Sequence, residues 1–145
     1  MAETQPAMSP SDLPAEVVLD RATGPRRAEA DELLRLFADV SGEEPVVWAG
    51  RIVGFGEYEY RYESGHGGRS PLLAFAPGPR QHTVYLPMEF ANRRQELFEH
   101  LGPHRSSKVC LYLTRLTGVD RDALRVILEE SLAETRAEAE QMGKG

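Results

Sequence analysis

Gly54-Phe55-Gly56-Glu57-Tyr58-Glu59-Tyr60-Arg61-Tyr62-Glu63-Ser64-Gly65-His66-Gly67-Gly68-Arg69-Ser70 begins as a strand and ends as a glycine-rich turn. From Phe55 onward the side chains divide by the two-residue period of a strand. Tyr58, Tyr60 and Tyr62 fall on one face; Glu57, Glu59, Arg61 and Glu63 fall on the other. Tyrosine suits a half-buried pleated surface. Gly65, Gly67 and Gly68 supply the backbone freedom that a reversal needs, so a hairpin is expected, with Pro71–Ala76 as its returning strand.

On the N-terminal side, Met1–Ser11 reads as a flexible tail, with Pro6, Pro10 and small polar residues. Asp12 is placed to cap a short helix running to about Arg21, with Leu13, Val17 and Val18 inward. Pro25 suits the first turn of a second helix. Ala30, Leu33, Leu34 and Phe37 give that helix an apolar stripe, and Ser41-Gly42 stops it. On the C-terminal side, Pro77-Gly78-Pro79 is a turn and Gln81–Leu86 a third strand. Pro87–Leu101 reads as a helix with Phe90, Leu97, Phe98 and Leu101 inward, ended by Gly102-Pro103. Val109-Cys110-Leu111-Tyr112-Leu113 is apolar on both faces, which suits an interior strand. Asp120 caps a last helix with Leu124, Ile127, Leu128 and Ser131 on one stripe.

This order implies an α+β fold: an antiparallel sheet of about four strands with amphipathic helices packed on it, a two-layer sandwich. The expected organisation is a tail over 1–11, one domain over 12–134, and a charged segment over 135–145 that frays.

Composition narrows the function classes. The chain has 145 residues and a net charge of −6. Clustered Lys and Arg, which phosphate neutralisation requires, are scarce, so a nucleic-acid partner is not expected. No apolar run is long enough to span a membrane. Met1–Ser11 lacks the basic and apolar regions of a signal peptide, and the single Cys110 suits a reducing compartment, so the expected location is cytoplasmic.

Trp48, then Ile52-Val53-Gly54-Phe55-Gly56-x-Tyr58-x-Tyr60-x-Tyr62-x-Ser64-Gly65, then Phe75-x-Pro77 and Tyr85, resemble the YdhG-like family, a domain of unknown function. So do Leu101-Gly102-x-His104-Arg105-x-x-Lys108-x-Cys110-Leu111-Tyr112-Leu113 and Arg115-Leu116-x-x-Val119-Asp120. The resemblance spans roughly residues 12 to 132. It implies an α+β fold and no established catalytic activity; some members are described as frataxin-like iron chaperones. The chain departs from the family pattern at Pro77-Gly78-Pro79, where Pro-Arg-Lys is expected, so a basic pair at that turn is not carried over.

Each candidate site has an ordinary reading beside it. The tyrosine stripe either fills space under the helices or lines a ligand pocket or dimer face. The charged face of Glu57, Glu59, Arg61 and Glu63 is either a solvated sheet face or a place for a cation. The glycine-rich turn is a hairpin turn or a phosphate cradle, but it matches no phosphate-loop motif. His104, Arg105 and Lys108 form the densest basic patch, either a solubilising loop or an anion site. Cys110, mid-strand among apolar residues, reads as an inert thiol. The candidate ligand-binding residues are therefore Trp48, Glu57, Tyr58, Tyr60, Arg61, Tyr62, Ser64, Gly65 and Lys108. Glu29, Asp31, Glu32, Asp39, Glu43 and Glu44 are the candidate metal ligands, since carboxylate oxygens suit hard cations such as iron. Glu130, Glu134 and Glu138 share a helix face at four-residue spacing.

The expected function is a non-enzymatic binding module, monomeric or homodimeric, that presents an aromatic and charged sheet surface to a small ligand or protein partner. No cofactor is expected; the alternative is a frataxin-like iron chaperone, under which iron is possible. An enzyme ranks last, because no nucleophile, base and orienting group come together in sequence.

Overall fold

A computed structural model of the chain describes residues 10–61 and 67–144, the side chains of residues 61 and 142–144 excepted. The elements are β1 (Pro10–Ser11), α1 (Ala15–Leu19), α2 (Pro25–Ser41), β2 (Pro45–Trp48), β3 (Ile52–Phe55), β4 (Tyr58–Arg61) and β5 (Gly67–Ser70). They are followed by β6 (Leu73–Ala76), β7 (His82–Tyr85), α3 (Phe90–Arg93), a 3-10 turn (Gln95–Phe98), β8 (Arg105–Ser106), β9 (Cys110–Leu113) and α4 (Arg121–Lys144).

The class is α+β, but the sheet is larger than the sequence suggested. Seven strands run in the order β1-β2-β3-β6-β7-β9-β8, and every neighbouring pair is antiparallel. β4 and β5 form a separate two-stranded ribbon. The missed strands are short or start at proline, so their two-residue period is too brief to read. β9 does lie inside the sheet, between β7 and β8.

The stretch read first as one hairpin is one hairpin with a bend. Val53 pairs with Phe75 and Phe55 with Leu73; farther out, Tyr58 pairs with Ser70 and Arg61 with Gly67. All these pairs share one register. At the bend, Gly56 takes φ +71°, and Pro71 has no N–H to give the ladder. A single bond from Leu72 N–H to the Gly56 carbonyl bridges the bend at 3.3 Å. The partner of the tyrosine strand is therefore Gly67–Ser70, not Pro71–Ala76. Tyr62, Ser64 and Gly65, and the turn they were assigned to, lie outside the described residues.

One sheet face carries the core. Val47, Val53, Phe55, Leu73, Phe75, Val84, Leu111 and Leu113 pack against Val18, Ala30, Leu33 and Phe37 from α1 and α2 and Leu124, Ile127 and Leu128 from α4. Phe37 lies 4.8 Å from Phe75 and 5.7 Å from Phe55, ring centroid to centroid. The α2 boundaries agree with the sequence: Pro25 opens it, and Gly42 closes it at φ +72° with its N–H on the Ala38 carbonyl. Asp120 caps α4 through a 2.9 Å bond from Ala123 N–H.

Three expectations fail. In α1 it is Val18 and Leu19 that are buried, while Leu13 and Val17 are exposed; Pro14, not Asp12, precedes the helix. Pro87–Leu101 is not one helix, because Arg94 at φ −124°, ψ 48° separates α3 from the 3-10 turn. Its inward anchors Phe90, Phe98 and Leu101 are nonetheless buried. The two expected tails are also partly structured. Pro10 and Ser11 pair with Trp48 and Val47, and α4 continues to Lys144 with Thr135 buried.

The other sheet face holds a smaller cluster, Trp48, Ile52 and Ala74 with Val46, Ala76 and Tyr85 against them; no described helix residue joins it.

A candidate ligand cleft beside the bent ribbon

Where the ribbon leaves the sheet, it leans on the C-terminal half of α4, and a cleft of about 280 Å³ opens beside it. Tyr58, Ser70, Pro71 and Leu72 come from the ribbon and its bend. Ala74 and Tyr85 come from the helix-free sheet face, Leu86, Pro87 and Met88 from the segment after β7, and Val109 from the start of β9. Thr135 and Glu138 come from α4.

Backbone bonds hold the far wall. Leu86 N–H donates to the Val109 carbonyl at 2.8 Å, and Glu89 N–H donates to the Lys108 carbonyl at 2.6 Å. Glu89 itself takes a positive φ of 58°, which turns the chain from the strand into α3. Met88 and Val109 remain 63% and 39% exposed at the mouth. Two large apolar side chains left in water beside a recess mark a place where a partner can remove them from solvent.

The polar groups in the cleft are few. Burial raises the pKa of Tyr85; nearby Arg51 opposes this, and Cys110 and Tyr112 add to it. The phenol therefore stays protonated. Thr135 has its hydroxyl on the Ser131 carbonyl at 3.0 Å. Glu138 is the only charged residue among the described lining residues.

The structure scatters the sequence candidates. Tyr58 lines the cleft, and the ring of Tyr60 lies over Gly68, its cross-strand partner, where any Cβ would collide with it. Both tyrosines are half-buried while Glu57 and Glu59 are exposed, as the two-residue period requires. Trp48 and Glu57 sit elsewhere, in a recess of about 430 Å³ shared with Glu43, Glu44, Val46, Gly56 and Leu72. The Lys108 carbonyl accepts from Glu89 N–H beside the cleft, and Lys108 is not among the described lining residues. The side chain of Arg61 lies outside the described set.

Four of the six candidate metal ligands bond to arginine. Asp31 accepts from Arg27 at 2.7 Å, Glu32 from Arg121 at 2.5 Å, Asp39 from Arg125 at 2.7 Å, and Glu29 from Arg115 at 2.9 Å. The acids of α4 are partly paired too: Glu130 with Arg94 at 3.2 Å and Glu134 with Arg93 at 2.5 Å. Among the described residues, no group of three or more His, Cys, Asp or Glu side chains is placed to hold a metal ion. The acidic helix faces are thus stitched to the fold by arginines that the sequence shows but whose reach it hides.

Sequence reasoning missed a buried polar pair. His82 is 0% exposed, and its Nε2–H donates to Glu29 Oε1 at 3.1 Å across the β7–α2 interface. Burial holds the imidazole below its ordinary pKa, and the Arg26 and Arg115 charges add to that; the Glu29 carboxylate only partly offsets them. Burial would raise Glu29, but its bonds to Arg115, His82 and the Leu116 backbone outweigh burial and leave it below the usual carboxylate range. His82 Nδ1 has no partner among the described residues. The pair is not among the residues lining the cleft, so it welds helix to sheet rather than facing a substrate. The one legible sign was His82 itself, at a core-facing strand position opposite Leu113.

No described helix is long and apolar enough to cross a membrane. No protein-family model, curated protein or solved structure compared with the chain matches it.

Proposed function

We propose that the chain is a non-enzymatic binding module that takes a small amphipathic ligand in the cleft beside the bent ribbon. The observation that carries this reading is Met88 and Val109 standing exposed at the mouth of a recess faced by two tyrosines. The lining sets the ligand class. Leu72, Ala74, Leu86 and Pro87 receive an apolar body, the tyrosine rings flank it, and the Glu138 carboxylate favours a cationic end. An arylalkylamine meets all three requirements.

The test is saturation-transfer NMR with phenethylamine against phenylacetate, which differ in the sign of their charged group. Transfer to the amine alone, abolished by Glu138→Arg, supports the reading. Equal transfer to both, or to neither, overturns it.

The resemblance to the YdhG-like family belongs to this proposal as well: the motif blocks around Trp48, Phe55–Tyr60 and Lys108–Leu113 support it. A frataxin-like role with iron is the second reading. It rests on the resemblance alone: Glu43, Glu44 and Glu57 line one recess beside Trp48, but Glu57 bonds to Arg69 and, among the described residues, no such group is placed to hold a metal ion. An anaerobic Fe²⁺ titration with Mg²⁺ as control decides it. Selective shifts at Glu43, Glu44 and Glu57 support iron handling, and equal response to both ions removes it.

A further inference from the structure

At the end of β9 away from the cleft, a second recess of about 310 Å³ is lined by His104, Arg105, Tyr112, Thr114, Arg115 and Thr117, with Pro103 at its edge. Its chemistry is the reverse of the chain as a whole. The protein carries a net charge of −6, yet the described lining includes two arginines and a histidine and no carboxylate. We propose that this recess binds a phosphate monoester, independently of the ligand cleft.

The two guanidinium groups are held in place before any ligand arrives. Arg105 lies opposite Tyr112 in the β8–β9 ladder, with its guanidinium carbon 5.2 Å from the centre of the Tyr112 ring and one N–H on the Gln81 side-chain oxygen. Arg115 is fixed by its Nε–H, which donates to Glu29 Oε2 at 2.9 Å. Among the described residues no hydrogen bond engages its two terminal amino groups. Glu29 is itself held by His82 and does not line the recess. Arg26 adds a third guanidinium close by. Its Nε–H donates to the Thr114 carbonyl at 2.7 Å and its Nη1 to the Pro79 carbonyl at 3.2 Å.

Fixed guanidinium groups offer paired N–H donors that suit a phosphate or a carboxylate alike. Two features favour the phosphate. The Thr114 and Thr117 hydroxyls can donate to further oxygens, which a carboxylate lacks. A phosphate monoester carries close to two charges at neutral pH, against one for a carboxylate. His104 is oriented by a bond between Nδ1 and the Gly102 carbonyl at 2.8 Å and by its packing on Phe98, so Nε2 is its remaining polar atom. The volume exceeds the needs of a bare phosphate and leaves room for an ester group.

The experiment is a titration of the ¹⁵N-labelled chain at fixed pH and ionic strength with inorganic phosphate, phenyl phosphate and acetate. Saturable amide shifts at Arg105, Thr114, Arg115 and Thr117 are expected with both phosphates, tighter for the ester, and none with acetate. Arg105→Gln, at an exposed edge strand, weakens binding about tenfold, as loss of a charge-assisted bond does. Thr117→Val and Arg115→Lys weaken it less, and Arg94→Ala leaves it unchanged. Absence of saturable shifts, an equal response to acetate, or Arg105→Gln binding like the parent overturns the proposal. So does an oligonucleotide that binds while the small phosphates do not. Urea midpoints near that of the parent confirm that each variant is folded.

Discussion

Substituting Glu29 by Leu should cost far more than the same substitution made together with His82→Leu. Glu29 is 11% exposed at its side chain and bonds to a fully buried imidazole. Its removal leaves the His82 Nε2–H without an acceptor in a closed interior, beside an Nδ1 that already lacks a partner. An unsatisfied buried donor costs about 1–3 kcal/mol. Loss of the ion pair to Arg115, which is 39% exposed, adds only about 0–1 kcal/mol in that wet setting. The expected loss is therefore about 1–4 kcal/mol. With a urea slope of about 2 kcal/mol/M, the midpoint falls by about 0.5–2 M. The double variant replaces both polar partners by apolar ones and should recover at least about 1 kcal/mol of that loss. Trp48 is the single tryptophan and is 1% exposed, so its fluorescence reports the transition. The pair also gives pH dependence of known sign. Both groups have folded pKa values below their ordinary ones, so the unfolded state binds more protons and stability falls on acidification. The His82 share is lost as pH drops below the ordinary histidine value of 6.5, and the Glu29 share below the ordinary glutamate value of 4.5. In the double variant the decline near pH 6 should flatten. Additive effects of the two substitutions, or an unchanged midpoint for Glu29→Leu, would refute the coupling.

Two further outcomes are expected from the packing. Leu111→Ala should lower stability by about 2–5 kcal/mol, because Leu111 is fully buried on the core face of an interior strand; an unchanged urea midpoint contradicts that placement. Gly102→Ala should destabilise by at least about 1 kcal/mol, since Gly102 sits at φ +104° and an added Cβ meets the Gly118 carbonyl oxygen; a thermal midpoint equal to the parent's would show that the backbone there is free to relax.

The sequence made the long elements legible and the short ones not. The stripe from Ala30 to Phe37, the Gly42 stop and the Asp120 cap are local signals, and α2 and α4 follow them. β2 spans only Pro45–Trp48, and β8 only Arg105–Ser106, so neither shows a full period. The ribbon was misread for a different reason. Gly67–Ser70 contains two glycines and no apolar residue, so it scores as a turn, yet cross-strand pairing with a half-buried tyrosine strand holds it extended. Of the candidate site, Tyr58 was visible because alternation marks it. Met88, Val109 and Thr135 were not, because they meet only through tertiary contacts between segments far apart in the chain.

The bend that hid the ribbon is also what makes the cleft. Had the hairpin continued straight from Phe55 to Arg61, Tyr58 would have stayed in the sheet, away from α4. Gly56 at φ +71° and Pro71, which has no ladder donor, release the strands together without slipping their register. Any added Cβ at Gly54 would meet Trp48 Nε1 at 2.6 Å and Pro71 at 2.7 Å, so the indole, the glycine and the proline are fitted to one another at the root of the bend. The ribbon then rests on α4, and the space left between it and the end of β7 is the recess. The same residues that interrupt the hairpin's regularity thus bring Tyr58 into one recess with Glu138 and Tyr85. Irregularity here is the feature that gives a plain antiparallel sheet a concave surface to bind with.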